Sequence, residues 1–167
     1  MKDPQIQSLI EAEDYIGALR LCEERLAEDN GSHADILRQR SHINALIGDY
    51  KSALLDRAEI INSNRPKLQD FFQAGNAALN LRRFNEAEIY FAQLIEKGQA
   101  AGEDWFASAA YFLTAYAQMR LGRIDDAAAS LSRAEAVEPT CEIPIPNSDI
   151  WDIRRLRAEI HAASRRS

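Results

Sequence analysis

The chain has few of the residues from which small catalytic and metal sites are usually built. Its two cysteines, Cys22 and Cys141, form no C-x-x-C pair and lie near no histidine at ligand spacing, which argues against a disulfide framework and a cysteine-built metal site. Its three histidines, His33, His42 and His161, fall on separate predicted elements and form no H-E-x-x-H pair. Neither phosphate-binding glycine pattern, G-x-x-x-x-G-K-[ST] or G-x-G-x-x-G, occurs. Carboxylates are so dense that pairs arise by chance, so no paired-acid site follows from them. We therefore expect no enzyme, no cofactor and no metal.

Long apolar runs are also missing. No stretch approaches the roughly 18 to 20 apolar residues that span a bilayer, and the start, MKDPQIQSLIEAED, lacks the apolar core of a secretory signal. The expectation is a soluble cytoplasmic protein without a membrane partner. Basic charge is scarce too: 20 Lys and Arg stand against 26 Asp and Glu, and a net charge of -6 disfavours nucleic acid as a partner. The charge is uneven. Residues 1–33 carry eight acidic side chains, whereas the last helix region carries Arg154, Arg155, Arg157, Arg165 and Arg166.

What the chain does have is a repeat. At 167 residues and 46% hydrophobic composition it suits a single domain, and an aromatic or isoleucine followed three residues later by alanine recurs along it. The pairs are Tyr15/Ala18, Tyr50/Ala53, Phe84/Ala87 and Ile124/Ala127, with intervals of 35, 34 and 40 residues between alanines. Gly48-Asp49, Arg82-Arg83 and Gly122-Arg123 precede the last three as turn signals. Apolar residues recur at helical spacing on both sides, as in Phe71/Ala74/Ala78/Leu81 before a turn and Ile89/Phe91/Leu94 after it. Each copy reads as helix, tight turn, helix.

A helix-turn-helix unit of about 34 residues resembles the tetratricopeptide repeat. The best single match is FFQAGNAALNLRRFNEAEIYF, with Phe71, Gly75, Phe84, Ala87 and Phe91 on family positions, and Pro139 falls where the family places its terminal proline. The resemblance implies an all-α fold, a right-handed superhelical stack of antiparallel helix pairs. We expect a single domain over residues 1–167, with a degenerate pair at 1–33 and repeats at 34–67, 68–101 and 108–141. Arg40, Asn44 and Arg57 depart from the pattern by standing where the family buries small or apolar side chains. They imply either a distorted unit or arginine stems lying along the core with hydrated heads. Six extra residues, Gly102 to Ala107, imply a longer loop or a helix beginning near Glu103, with Trp105 exposed at its tip or capping the gap between pairs.

After Pro139 the alternating prolines of CEIPIPNSD forbid helix and favour an extended segment. Asn147 or Ser148 then suits a helix N-cap, and Ile150, Ile153, Leu156, Ile160 and Ala163 form the apolar stripe of a capping helix over 147–164.

The resemblance further implies that the first helix of each pair lines a concave groove. The positions it marks include Arg38 and His42 in the first full unit, Phe72 and Asn76 in the second, and Phe112, Tyr116, Met119 and Arg120 in the third. Relatives that grip the acidic tails of heat-shock chaperones use a clamp of cations and asparagines. Arg38 and Asn76 match that clamp, but His42 replaces an asparagine and Ala109 and Leu113 replace cations, so it is incomplete. The aromatic half suits an apolar anchor from a partner instead. For each aromatic, core and groove remain open, and Tyr116 is the one expected to stay accessible through its hydroxyl. The function that follows is a protein-interaction scaffold or adaptor that holds another protein or peptide. The alternatives are a dedicated chaperone of a secreted effector, a toxin-neutralising immunity protein, or a self-associating module that forms homo-oligomers.

Overall fold

In the computed structural model, which describes residues 3–28, 33–63, 66–146 and 148–165, the turn geometry explains the helix boundaries. Helices α1 (Pro4–Glu11) and α2 (Tyr15–Ala27) are followed by α3 (His33–Leu46) and α4 (Tyr50–Ile61), then α5 (Leu68–Asn80) and α6 (Phe84–Ala101), then α7 (Ala107–Arg120) and α8 (Ile124–Val137). A hairpin of β1 (Glu142–Pro144) and β2 (Ile150–Asp152) precedes α9 (Ile153–Ser164). After α1, α3, α5 and α7 the chain makes the same closure. A residue at positive φ (Glu13, Gly48, Arg82, Gly122) is followed by an N–H that reaches back five residues, as from Asp49 to the Asn44 carbonyl and from Arg123 to the Gln118 carbonyl. This is the Schellman closure of a helix C-terminus. Glycine adopts it freely, while the left-handed backbone costs Glu13 and Arg82 roughly 1 kcal/mol each.

The next helix starts at once from that turn. Asp14 and Asp49 cap α2 and α4 by accepting from the Gly17 and Ser52 amides. Arg83 and Arg123 hold the same positions before α6 and α8 without a side-chain cap, and each pairs instead with an acid in the first turn, Glu86 and Asp126.

The chain divides into two compact units, residues 1–77 and 78–167, with the boundary falling inside α5. In the first unit Ile6, Ala18, Cys22, Ile36 and Ile43 form a core from α1, α2 and α3. Burial pushes the Cys22 thiol up to about 11, so it behaves as a small apolar side chain. Beside this core lies an ionic one. Asp70, fully buried near the start of α5, accepts from Arg38 Nε and Nη2 on α3, from Arg57 Nη1 on α4 and from the Lys67 amide. Arg57 also donates to Ser41 Oγ and to the Arg38 carbonyl, and Arg40 grips Asp56 through two bonds. The expected hydrated heads are therefore wrong for Arg57. Its side chain is 8% exposed, and its guanidinium is neutralised inside the unit.

In the second unit α7 is the central element. Ser108, Ala110 and every residue from Phe112 to Gln118 are buried, because α6, α8, α9 and β1 pack around the helix. The C-terminal segment departs from expectation. The extended stretch finds a partner, Glu142–Pro144 pairing antiparallel with Ile150–Asp152, so the helix expected from 147 begins at Ile153 with Asp152 as its cap. Asn147 lies outside the described residues, and Ser148 accepts the Trp151 indole N–H instead of capping a helix.

The extra residues after the third pair lengthen the preceding helix, which runs to Ala101 and closes on Gly102 at positive φ. Neither a long loop nor a helix from Glu103 forms. The turn that follows folds back closely on Gly98, where an added Cβ would run into Phe106 Cζ and lie 2.7 Å from the Glu103 carbonyl. Phe106 is thereby held inside while Trp105 stays exposed.

Two outcomes follow. Asp70→Asn should lower the unfolding free energy by about 3–5 kcal/mol in urea titration, because two guanidiniums lose their anion. Burial alone would raise the Asp70 carboxyl, but the Arg38 bonds, the Lys67 amide and the charges of both arginines outweigh it and hold it below the usual carboxylate range. Its stabilisation is thus complete above about pH 4 and is lost as pH falls through the depressed folded value. Gly98→Ala should destabilise by about 1–3 kcal/mol in the same assay, since backbone as well as Phe106 must move.

Candidate functional site

An open cavity of about 570 Å³ lies within residues 78–167, a volume typical of ligand pockets. Three structural origins meet in it. The turn after α5 and the start of α6 supply Arg82 and Phe84, the last turn of α7 supplies Tyr116, Met119 and Arg120, and the hairpin and α9 supply Trp151 and Glu159.

Tyr116 organises the group. Its ring meets Phe84 edge-on at 6.3 Å and Trp151 edge-on at 5.7 Å, the geometry aromatic quadrupoles favour. Arg120 lies over both Phe84 and Tyr116, at 5.2 and 5.8 Å from the ring centroids, and its Nη1 donates to the Tyr116 hydroxyl at 2.9 Å. Arg155 lies over Trp151 at 4.8 Å. The aromatic faces are thus already occupied by the protein's own cations.

The expected site residues separate into three groups. Tyr116, Met119 and Arg120 come together in this cleft. Arg38 and His42 line a smaller cavity of about 280 Å³ within residues 1–77, and there Arg38 is engaged by Asp35 and Asp70. Phe72 and Asn76, on α5, line neither of these two cavities.

Two expectations need correction. Phe112 is fully buried and is a core residue, because the hairpin and α9 cover the face of α7 that the resemblance assigns to a groove. Tyr116 is 5% exposed for the same reason, and its hydroxyl is held by Arg120 rather than by water alone.

Sequence reasoning missed Trp151, Phe84 and Arg82 as cleft residues. Phe84 read only as a repeat position after the turn, and Trp151 stood outside the helical stripe. The available signal was the alternation IPIP followed by Ile150-Trp151-Asp152, since an extended segment beside another extended segment invites pairing. Among the described residues no group of three or more His, Cys, Asp and Glu side chains could hold a metal ion, and no helix is long and apolar enough to cross a membrane.

These helices define an all-α helical-repeat protein with a tetratricopeptide-like fold. Its solved structural neighbours include MamA. The structure titled MamA 41-end from Desulfovibrio magneticus RS-1 matches with a TM-score of 0.70 at 16% identity, over 81% of this chain and 73% of that one. An RS-1 double mutant of MamA gives the same score and identity over 81% and 72%. MamA AMB-1 matches with a TM-score of 0.70 at 13% identity, over 98% of this chain and 79% of the other. At such identities the likeness is one of fold. No protein-family model matches the sequence, and no curated protein matches it.

Tyr116→Phe tests the cluster's internal bond. It should cost about 1.5 kcal/mol in thermal or urea unfolding, because a charge-assisted bond from the Arg120 guanidinium is lost. Tyr116→Ala should cost about 3–5 kcal/mol, because Phe84 and Trp151 then face a void.

Proposed function

We propose that this chain is a cytoplasmic protein-interaction scaffold, and that the cleft around Tyr116 and Trp151 holds a segment of its partner. The carrying observation is the cleft itself, about 570 Å³ of open space beside a rigid aromatic and arginine cluster. Tyr, Trp and Arg are the side chains that dominate interface energetics, and a packed cluster lowers the entropy lost on binding. The repeat fold supports the same reading, as does the likeness to MamA, which is tetratricopeptide-like. In this reading the chain is one domain of three full repeats and a degenerate first pair, with α9 as its cap. Acting as an adaptor, as an effector chaperone or in neutralising a toxin would each use the cleft in the same way.

A second reading has its own observation. Ile16 on α2 and Leu55 on α4 are 85% and 62% exposed, and we infer that these apolar side chains meet another copy of the chain. Light scattering across a concentration series should then show growth of a dimer or larger assembly, and a constant monomer would remove this reading.

Filling the cleft tests the first reading without removing any contact. Ala163 lines it from α9, whereas Ala129 is exposed on α8 and does not. Ala163→Trp should abolish capture of partner proteins from a host lysate, measured by mass spectrometry, while Ala129→Trp retains it. Equal capture by both variants would show that the partner binds elsewhere.

A further inference from the structure

Some arginines of residues 78–167 pair with a carboxylate, while the two that line this cleft, Arg82 and Arg120, belong with Arg133, Arg154 and Arg165 among those that pair with none of a described residue. Among the described residues Arg83 pairs with Glu86, Arg123 with Glu88 and Asp126, Arg155 with Asp149, and Arg157 with Glu135. No carboxylate of a described residue pairs with Arg82 or Arg120, although the chain carries more acidic than basic side chains. Arg120 spends one bond on the Tyr116 hydroxyl and is braced over two rings, so its guanidinium is oriented before any ligand arrives. Glu159 is the one acid among the cleft's lining residues, which leaves two guanidiniums facing one carboxylate.

Arg82 has a second peculiarity. It holds the left-handed position of its turn, at φ 58°, where the turns after α3 and α7 use Gly48 and Gly122. Glycine would relieve that strain, and no ion pair or hydrogen bond from its side chain to a described residue compensates for it. Glu13 occupies the same place after α1, so the turn tolerates a side chain, but tolerance alone does not explain an unpaired cation on a cavity wall.

We infer that the cleft selects a partner segment in which an acidic residue flanks an aromatic one, the carboxylate bound by Arg82 and Arg120 and the ring set against Met119. The inference rests on the cleft being the partner site and adds the chemistry that site reads. A carboxylate gains charge-assisted, planar bonds from a guanidinium. A cationic ligand is disfavoured, because Arg120 and Arg155 already cover the aromatic faces it would need.

Fluorescence polarisation on labelled peptides reads this directly. Acetylated and amidated peptides in a Gly/Ser frame carry phenylalanine or tryptophan flanked by glutamate, glutamine or lysine. The glutamate set should bind about tenfold more tightly than the glutamine set, with the lysine set weakest, and the preference should shrink as salt rises. Arg82→Gly should raise Tm and at the same time remove most of the glutamate preference. A merely structural Arg82 would change neither the preference nor its salt dependence.

Equal binding of the glutamate and glutamine sets, a preference unchanged by Arg82→Gly, or no binding by any peptide would overturn the inference. Binding of the glutamine set that Ala163→Trp blocks would leave the partner site standing without its acidic selectivity. Loss of partner capture and of all peptide binding are read in separate assays, so the two proposals can fail independently.

Discussion

A helix enclosed on every side over its middle two turns imposes the main constraint on residues 78–167. From Phe112 to Gln118 every side chain of α7 is buried, so each neighbour must present a complementary surface to it. Alanines 110, 115 and 117 let the adjoining backbones come close, while Phe112 and Leu113 fill the larger gaps. At the last turn, where Met119 is half-buried and Arg120 exposed, α7 reaches solvent, as it also does near its start at the half-buried Ala107, Ala109 and Tyr111. The cleft forms there because the packing around α7 ends there, and its walls inherit the rigidity of the core beneath. Tyr116 is the junction, with its ring in the packing and its hydroxyl at the edge.

Residues 1–77 meet their own constraint differently. Asp70 sits where three helices converge and carries two arginines and a backbone amide. Such a cluster contributes little net stability compared with apolar packing, yet it is costly to break, and its bidentate geometry fixes how the helices align. That use also explains why Arg38 is poorly placed to serve a ligand. Its donors are already committed to Asp70 and Asp35, so the cation that matched a family clamp by position is structural by chemistry.

The helix pairs and their turns were legible because their signals are local. A left-handed residue followed by a capping or charge-paired one ends one helix and starts the next within two residues, as at Gly48-Asp49 and Gly122-Arg123. The site was legible only in part, because its signals are not local. Tyr116, Met119 and Arg120 follow from helical spacing on α7, but whether that face is open depends on a hairpin and helix about 30 residues later in the chain. Phe112, open between core and groove from the sequence, falls to the core for that reason. Trp151 was missed because its strand exists only through pairing with Glu142–Pro144, and the ionic role of Arg57 because Asp70 lies on another helix. Gly98 shows the same limit, since its closeness to Phe106 is invisible until the helix turns back.

The claim that ties these features together is that the partner contacts the end of α7 where the packing opens. Photo-crosslinking in the native host tests it most directly, with a photoreactive amino acid placed in turn at Met119, at His42 beside the smaller cavity, and at Ala129 on exposed α8. A specific adduct from position 119, absent from positions 42 and 129, is the result this account predicts. Adducts from position 42 or 129 with none from 119 would contradict it.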